Sequence, residues 1–332
     1  MSAIARSVRR LLSWTALAYL VGAVAAAVAL RTLTDVWWPI TVLAYAPRWL
    51  LVLPLPFLAL ALAVARRWRL LAAMLPAAIA LVFALDFRIG LRAAAAGGAP
   101  LTVVTLNSDG ARTPDAKLRE LLRTTGAQIV ALQECELDPD QFGDDSWHIH
   151  REHELCLLSR FPFASVEARD SDEIRARGGH GSAVRYVVDT PAGPMAIVNI
   201  HLQTVRPGLD ELIDHGLAGR AGMAANTRIR ELDSSTLRAW IDGHDGHVPT
   251  IVLGDFNLPV ESAIYRRHWS SFGNAFSSAG FGLGWTKRTR WHGTRIDQIL
   301  FTPGLACLDA RVGPNVGSDH RPVIAHLALA GR

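Results

Sequence analysis

The sequence predicts an α/β domain preceded by an apolar, membrane-spanning N-terminal part. Three observations carry that prediction. Long apolar runs are confined to the first hundred residues, and strand-like and helix-like runs alternate after them. Several of the strand-like runs also end in metal-binding or proton-moving side chains: VVTLNSDG (103–110), IVALQE (129–134), IVNIHL (197–202), IVLGDFN (251–257), and RIDQILF (295–301) with GSDHRPV (317–323). A buried β-run gains nothing by stopping at Asn, Glu, His or Asp, because these groups must be desolvated. Such endings, repeated, imply one polar pit at the edge of a sheet.

Leu11–Leu30 is a run without charge, long enough to cross a hydrocarbon core of roughly 30 Å. Trp49–Ala65 and Leu70–Phe87 are two further apolar runs, and Trp37, Trp38, Trp49 and Trp68 sit at run ends as an interfacial belt would place them. The expectation is therefore about three transmembrane helices, near 11–30, 49–65 and 70–87, within a membrane region 1–92. A cleaved signal at Met1–Leu30 followed by two spans is the alternative, given the basic start and the alanines at 25–27. Arg6, Arg9 and Arg10, and then Arg66, Arg67 and Arg69, belong on the cytoplasmic side by the positive-inside rule. Three spans would then put the rest of the chain on the non-cytoplasmic side of a bacterial-type inner or plasma membrane. Residues 93–100 (AAAAGGAP) read as a linker and 101–332 as the second domain.

The first 99 residues hold ten arginines against Asp35 and Asp86, so totals of 34 basic and 30 acidic residues leave 24 and 28 for the remainder. The remainder is net acidic, and a whole-domain field steering it onto polyanions is not supported. Cys135, Cys156 and Cys307 have no zinc or redox spacing. They read as small buried hydrophobes, with a Cys135–Cys156 bridge open in an oxidising compartment.

Strands are expected at Leu101–Leu106, Ile129–Leu132, Leu155–Ser159, Ser182–Val188, Met195–Ile200, Thr250–Leu253, Gln298–Phe301 and Val323–Leu329. A helix is expected at Asp115–Thr124, with Leu118, Leu121 and Leu122 on one face and Gly126 ending it. A second is expected at Thr227–Ile241, with Ile229, Leu232, Leu237, Trp240 and Ile241 as its stripe. Residues 205–225 form a Gly-rich stretch after the His201 strand, either a functional loop or a solvated excursion. No GxGxxG, GxxxxGK[ST], HExxH or GxSxG occurs, which weighs against dinucleotide, P-loop, zincin and serine-hydrolase chemistry.

Taken in order, LNSDG, LQE, IVNIH, GDFN, RIDQIL and SDH resemble the motifs of the endonuclease/exonuclease/phosphatase superfamily, which includes deoxyribonuclease I, exonuclease III-type nucleases, neutral sphingomyelinases and inositol-polyphosphate 5-phosphatases. The resemblance covers 101–329 and implies a four-layer α/β sandwich, two mixed sheets face to face with helices outside. It implies Mg²⁺ or Mn²⁺ on Glu134, with Asp109 and Asp319 nearby; hard carboxylates suit either ion. It further implies that Asn107 orients the catalytic groups, Asp255 positions or activates water, and Asn257 stabilises developing charge. Asp297 would orient His320, the general base or phosphate contact, because a carboxylate partner fixes an imidazole's tautomer and raises its basicity. His201 would be a phosphate contact or leaving-group acid.

Either Glu152 or Glu154 fits a further acid that deoxyribonuclease I-type members carry, and His180 lies in a loop within reach of the pit. Tyr265–Trp269 and Trp285–Arg295 mix arginines with tryptophans. That rim suits stacked bases, anionic headgroups or a plain solvated face. The function expected is a membrane-anchored, divalent-metal-dependent phosphodiesterase with a nuclease-like substrate. A phospholipid or sphingomyelin-type substrate is the alternative, and a non-catalytic binding module of the same fold is the second.

Overall fold

The computed structural model describes residues 3–90, 100–138, 146–244 and 246–330. The chain divides into two compact units, Met1–Phe87 with Glu261–Ala263, and Arg88–Val260 with Ile264–Arg332. All but the last residue of the expected 93–100 linker lies outside the described residues.

In the first unit, α1 (Ala3–Leu33) contains the only described helix long and apolar enough to cross a membrane, Arg6–Leu33. The expected three spans are thus not found as three such helices. Proline breaks the second run: α3 starts afresh at Pro54 and ends at Val64, 11 residues or roughly 16 Å at 1.5 Å per residue. Before it, α2 (Trp38–Tyr45) meets the Arg48–Val64 segment at a 100° bend, and only if that bent pair counts as one span is there a second. The third run forms α4 (Trp68–Ala84), 17 residues with Pro76 inside, or roughly 25 Å. Ala16, Ala23, Ala27 and Leu30 make the buried stripe of α1, packed on Leu62, Met74, Ala77, Leu81 and Ala84.

Two six-stranded sheets make up the second unit. One has the order β15 (Leu305–Val312), β16 (Val323–Leu329), β2 (Leu101–Asn107), β3 (Ile129–Gln133), β5 (Leu155–Ser159), β4 (His148–Glu152). The other runs β10 (Gly273–Asn274), β14 (Asp297–Phe301), β9 (Thr250–Asp255), β8 (Gly193–His201), β7 (Ser182–Thr190), β6 (Phe163–Ala168). Two-stranded ribbons pair β1 (Arg88–Ile89) with β11 (Phe281–Gly282) and β12 (Lys287–Arg288) with β13 (Gly293–Thr294).

Each large sheet is antiparallel except for one central pair, β2 with β3 and β8 with β9. A parallel pair needs a crossover. The crossovers are α5 (Asp115–Thr125) and a helical hairpin, Arg206–His215 with Arg220–Asp242. Side chains alternate along the strands: Val103, Ile129, Ala131, Ile197, Ile251 and Leu253 meet between the sheets, while Val104, Leu106, Val130 and Leu132 turn outward onto Leu118, Leu121 and Leu122. On the far side Val198, Ile200 and Val252 pack with Leu237 and Ile241. Helices therefore flank two mixed sheets on their outer faces. Burial on both faces is why these strands read as continuous apolar runs.

Two expectations need revision here. The Gly-rich stretch is largely helical, and Gly208, Gly219 and Gly222 serve close helix packing: a Cβ on Gly219 would stand 1.9 Å from the Glu211 carbonyl oxygen. The following helix also starts seven residues before Thr227, and its buried face includes Asn226, Arg230, Asp233 and Ser234 rather than the full predicted stripe. That polar face is used. Asp233 Oδ1 accepts from Arg169 Nη1 at 2.9 Å and Oδ2 from the Gln203 amide at 2.9 Å, while Arg230 Nη2 donates to the Asn257 carbonyl.

Gly254 shows why GDFN begins with glycine. Its φ is +149°, and a Cβ would lie 2.0 Å from the Ile200 carbonyl oxygen on the neighbouring parallel strand. Gly254→Ala is expected to destabilise the protein by about 3 kcal/mol, read as the shift in chemical-denaturation midpoint. A shift equivalent to less than about 1 kcal/mol would contradict this packing.

Candidate active site

The two parallel pairs place their C-terminal ends together, and strand register does the rest. Asn107 pairs with Gln133 across the first sheet, so Glu134 follows immediately beside Asn107. In the second sheet His201 pairs with Asp255, and Asp255 with Asp297, putting all three in one row. Ligand crevices outside the carboxyl ends of parallel strands are the general rule for open α/β sheets. Asp109, Glu134 and Asn257, each just past a strand end, hold left-handed φ values of 52°, 48° and 51°. Non-glycine residues adopt that conformation at a cost, and it concentrates at functional sites.

Asn107 links the sheets: its Nδ2 donates to Glu134 Oε1 at 2.9 Å and to Asp255 Oδ2 at 3.1 Å. Below it Gln133 Nε2 donates to Asn199 Oδ1 at 2.7 Å, a second buried clasp between the sheets. Asp255 Oδ1 accepts from the Asn257 amide at 2.9 Å, and Asn257 Nδ2 donates to the Leu202 carbonyl at 2.9 Å. His320 Nδ1 sits 3.1 and 2.9 Å from the Asp297 carboxylate oxygens, and its Nε2 lies 3.7 Å from Asp255 Oδ2. Ser318 Oγ pins that loop by donating to the Asn107 carbonyl at 2.8 Å and accepting from the His320 amide.

His201 completes the cluster, with Nε2 3.8 Å from Asp255 Oδ2 and 3.9 Å from Glu134 Oε1. Its Nδ1 lies 3.2 Å from Glu154 Oε1, which also accepts from Ser182 Oγ at 3.0 Å. The structure thus resolves the choice left open: Glu154 faces the site, while Glu152 pairs with the exposed ring of His153. A cavity of about 360 Å³ opens over these groups, lined also by His180, Thr204, Arg206 and Lys287. Asp109 behaves differently: its carboxylate pairs with Arg112 at 2.8 Å, and Asp109 is not among the residues lining the cavity. Of the expected basic rim, Trp269 and Tyr265 are buried in the core, whereas Trp291 is exposed. Arg206 and Lys287 had no distinguishing sequence context beyond the Gly-rich and basic stretches that hold them.

Charge dominates the electrostatics. Burial alone would lower the His201 pKa, but the Glu154 hydrogen bond and the carboxylates of Asp255, Glu154 and Glu134 outweigh it and push it up to about 9. Burial alone would raise that of Glu154, yet His201 and Ser182 bring it down to about 2. The pair's stabilisation is therefore complete between the unperturbed values of 4.5 and 6.5. It is lost as pH falls through Glu154's folded value of about 2 or rises through His201's of about 9. In the metal-free protein, Glu154→Gln is expected to drop the His201 pKa by more than one unit, followed by NMR of the imidazole protons; an unchanged value would sever the pair.

The cluster suits a cation. Asp255, Asp297 and His320 form a buried group whose ligand atoms lie within 4.8 Å of one another, a geometry able to hold a metal ion. Asp319 Oδ2 is held by Lys287 Nζ, while its buried Oδ1, 3.8 Å from His320 Nε2, has no hydrogen-bond partner among the described residues. An orphaned carboxylate oxygen among several acids leaves negative charge that a hard, oxygen-seeking cation neutralises.

The fold and this row of strand-end acids and imidazoles define a class. The chain belongs to the endonuclease/exonuclease/phosphatase family, whose model matches residues 104–320, and members of that family are hydrolases acting on phosphoester bonds. No curated protein matches the chain. Solved structures of similar fold include the endonuclease/exonuclease/phosphatase from Beutenbergia cavernae DSM 12333, 18% identical, with a TM-score of 0.51 over 70% of this chain and 72% of that one. D. rerio TDP2 complexed with single strand DNA product is 14% identical, with a TM-score of 0.52 over 70% of this chain and 100% of that one. The mannosyl-6-phosphatase Bt3783 of Bacteroides thetaiotaomicron VPI-5482 is 15% identical, with a TM-score of 0.52 over 69% and 100%.

Proposed function

We propose that this chain is a divalent-metal-dependent phosphodiesterase acting on a nuclease-like substrate, anchored by its apolar N-terminal part. The observation that carries this reading is Asn107, whose single amide joins Glu134 of one sheet to Asp255 of the other beside two carboxylate-held imidazoles. Glu134 and Asp319, whose free oxygen faces His320, would hold Mg²⁺ or Mn²⁺, with Asp109 at the margin, because the Asp255, Asp297 and His320 atoms already pair with one another or with Asn107 and Asn257. When bound, the ion supplies charge neutralisation at the phosphoryl oxygens. Asp255 orients the attacking water and accepts its proton. Asp297 fixes the His320 tautomer so that Nε2 faces the phosphate. His201, kept protonated by Glu154, donates to a phosphoryl or leaving oxygen, and Asn257 lines the same wall.

Arg206 favours an anionic substrate beyond the scissile phosphate. It lines the cavity, and among the described residues its guanidinium makes no hydrogen bond or ion pair. A free arginine there suits a second phosphate and repels a cationic headgroup. The solved neighbour bound to single strand DNA product agrees with that preference. The 101–332 boundary and the non-cytoplasmic placement of the domain remain part of this proposal; Arg6–Leu33 is the feature that supports an anchor.

The test uses the full chain in detergent with Mg²⁺, offered single-stranded DNA, bis(p-nitrophenyl) phosphate, or phosphatidylcholine and sphingomyelin vesicles. Hydrolysis of DNA and of the small diester, abolished by EDTA, is expected. Arg206→Ala should raise KM for DNA about tenfold, with little change on the small diester, because a charge-assisted hydrogen bond contributes about 1.5–3 kcal/mol. Turnover of lipid alone would overturn the substrate assignment.

A further inference from the structure

Cys135 and Cys156 are joined by a disulfide, both residues are buried, and Cys307 is the free, buried thiol. The position of the bond is more informative than its existence. Cys135 directly follows Glu134, and Cys156 lies two residues after Glu154. The ladder between β3 and β5 ends at the pair Leu132 with Cys156, so Glu134 stands beyond the last paired residue, in left-handed conformation. The Cys135 amide donates to the Glu154 carbonyl at 2.8 Å. Asn199 Nδ2 donates to the Cys156 carbonyl at 2.9 Å and the Leu132 carbonyl at 3.1 Å, fastening the crosslinked strands to the second sheet. One covalent bond therefore sits between the acid placed to hold the cation and the acid that holds His201.

We propose that the Cys135–Cys156 disulfide positions Glu134 and Glu154 for catalysis, so that the site has its full cation affinity only in the oxidised protein. The proposal rests on reading Glu134 as a cation ligand. On the β2 side the Glu134 carbonyl accepts from the Gly110 amide at 3.0 Å and from Ser108 Oγ at 2.9 Å; on the β5 side the Cys135 amide bond and the crosslink hold the strained φ. Reduction by a dithiol breaks the Sγ–Sγ bond and delivers two electrons and two protons to the two sulfurs, while the dithiol closes to its own cyclic disulfide. Reduction removes the covalent tether and leaves the Ser108, Gly110 and Glu154 contacts to hold Glu134 less tightly, so that its carboxylate moves off the Asn107 amide.

The experiment compares the oxidised full chain in detergent with the chain reduced by dithiothreitol, and with a Cys135→Ser/Cys156→Ser variant. Thiol titration counts the reduced sulfurs, calorimetry measures Mn²⁺ binding, and hydrogen exchange in the metal-free protein follows the amides of 133–137 and 153–156. The expected result is a loss of Mn²⁺ affinity of at least tenfold, a matching rise in half-saturating Mg²⁺, and faster exchange confined to those two segments. Cys307→Ser should change none of these. Affinity within twofold after confirmed reduction would overturn the proposal, and so would reduction that unfolds the whole domain, since the bond would then be a global staple. Should the double variant fail to fold, the reduced wild-type chain decides by the same readouts. If the oxidised chain bound no Mn²⁺, the site assignment would fail first and the strap with it, which separates the two failures.

Discussion

His320→Ala is expected to lower kcat on a phosphodiester by about 10³-fold at saturating Mg²⁺, within the range typical of a positioned acid–base group. His320 is almost wholly buried, its Nδ1 between both oxygens of Asp297 and its Nε2 toward Asp255 across the cavity floor. Burial opposes its charging, but Asp297 and Asp255 outweigh that and raise its pKa above 6.5. The stabilisation from this pairing is thus fully present below 6.5 and lost as pH rises through the raised value. The alanine variant should therefore lose more stability at pH 6 than at pH 9, measured by chemical denaturation in the metal-free protein. A kcat within tenfold of wild type would remove His320 from the chemistry.

Asp255→Asn is expected to cost a similar factor, about 10³, with a different stability signature. Asp255 is the hub: one oxygen accepts from Asn107 and stands near the Nε2 atoms of His201 and His320, while the other accepts from the Asn257 amide. An asparagine amide turned toward Asn107 would oppose donor to donor, and one turned toward the Asn257 amide would do the same. Burial, and next the Asp297 carboxylate, raise the Asp255 pKa, so its ionised form costs stability once pH exceeds its unperturbed 3.8. Asparagine removes that cost and also removes a partner from both imidazoles. These effects oppose each other, so the melting temperature at pH 7 should move by only a few degrees. Activity near wild type, or collapse of the fold, would contradict Asp255's role as a functional rather than structural acid.

Much of the candidate site was legible because Asn107, Glu134, His201 and Asp255 end or directly follow strand-like runs, where the chain leaves a doubly buried sheet and a polar side chain would otherwise be penalised. Asn107, Glu134, His201, Asp255, Asn257, Asp297 and His320 lie together in the structure, and Asp319 joins through Lys287. Local pattern did not decide which of Glu152 and Glu154 turns inward. That depends on the tight β4–β5 turn, where His153 holds a φ of 52°. Lys287 was also hidden, because its position comes from a two-stranded ribbon bridged to His320 rather than from any run. The helix expected at Thr227–Ile241 is present, but its first seven residues were missed for a related reason: its buried face holds loops through Arg230 and Asp233, a polar stripe that apolar periodicity does not register. In the N-terminal part, apolar composition overstated helix length, since Pro54 and Pro56 restart the chain where a continuous span was expected.

The most direct measurement is anomalous diffraction from crystals of the full chain soaked with Mn²⁺. A peak in the cavity lined by Glu134, Asp255 and His320 is predicted, with a Glu134 carboxylate oxygen about 2.1–2.3 Å away and Asp319 on the same side. A cavity without Mn²⁺ at saturating concentration, or a peak whose ligands exclude Glu134, would contradict the account.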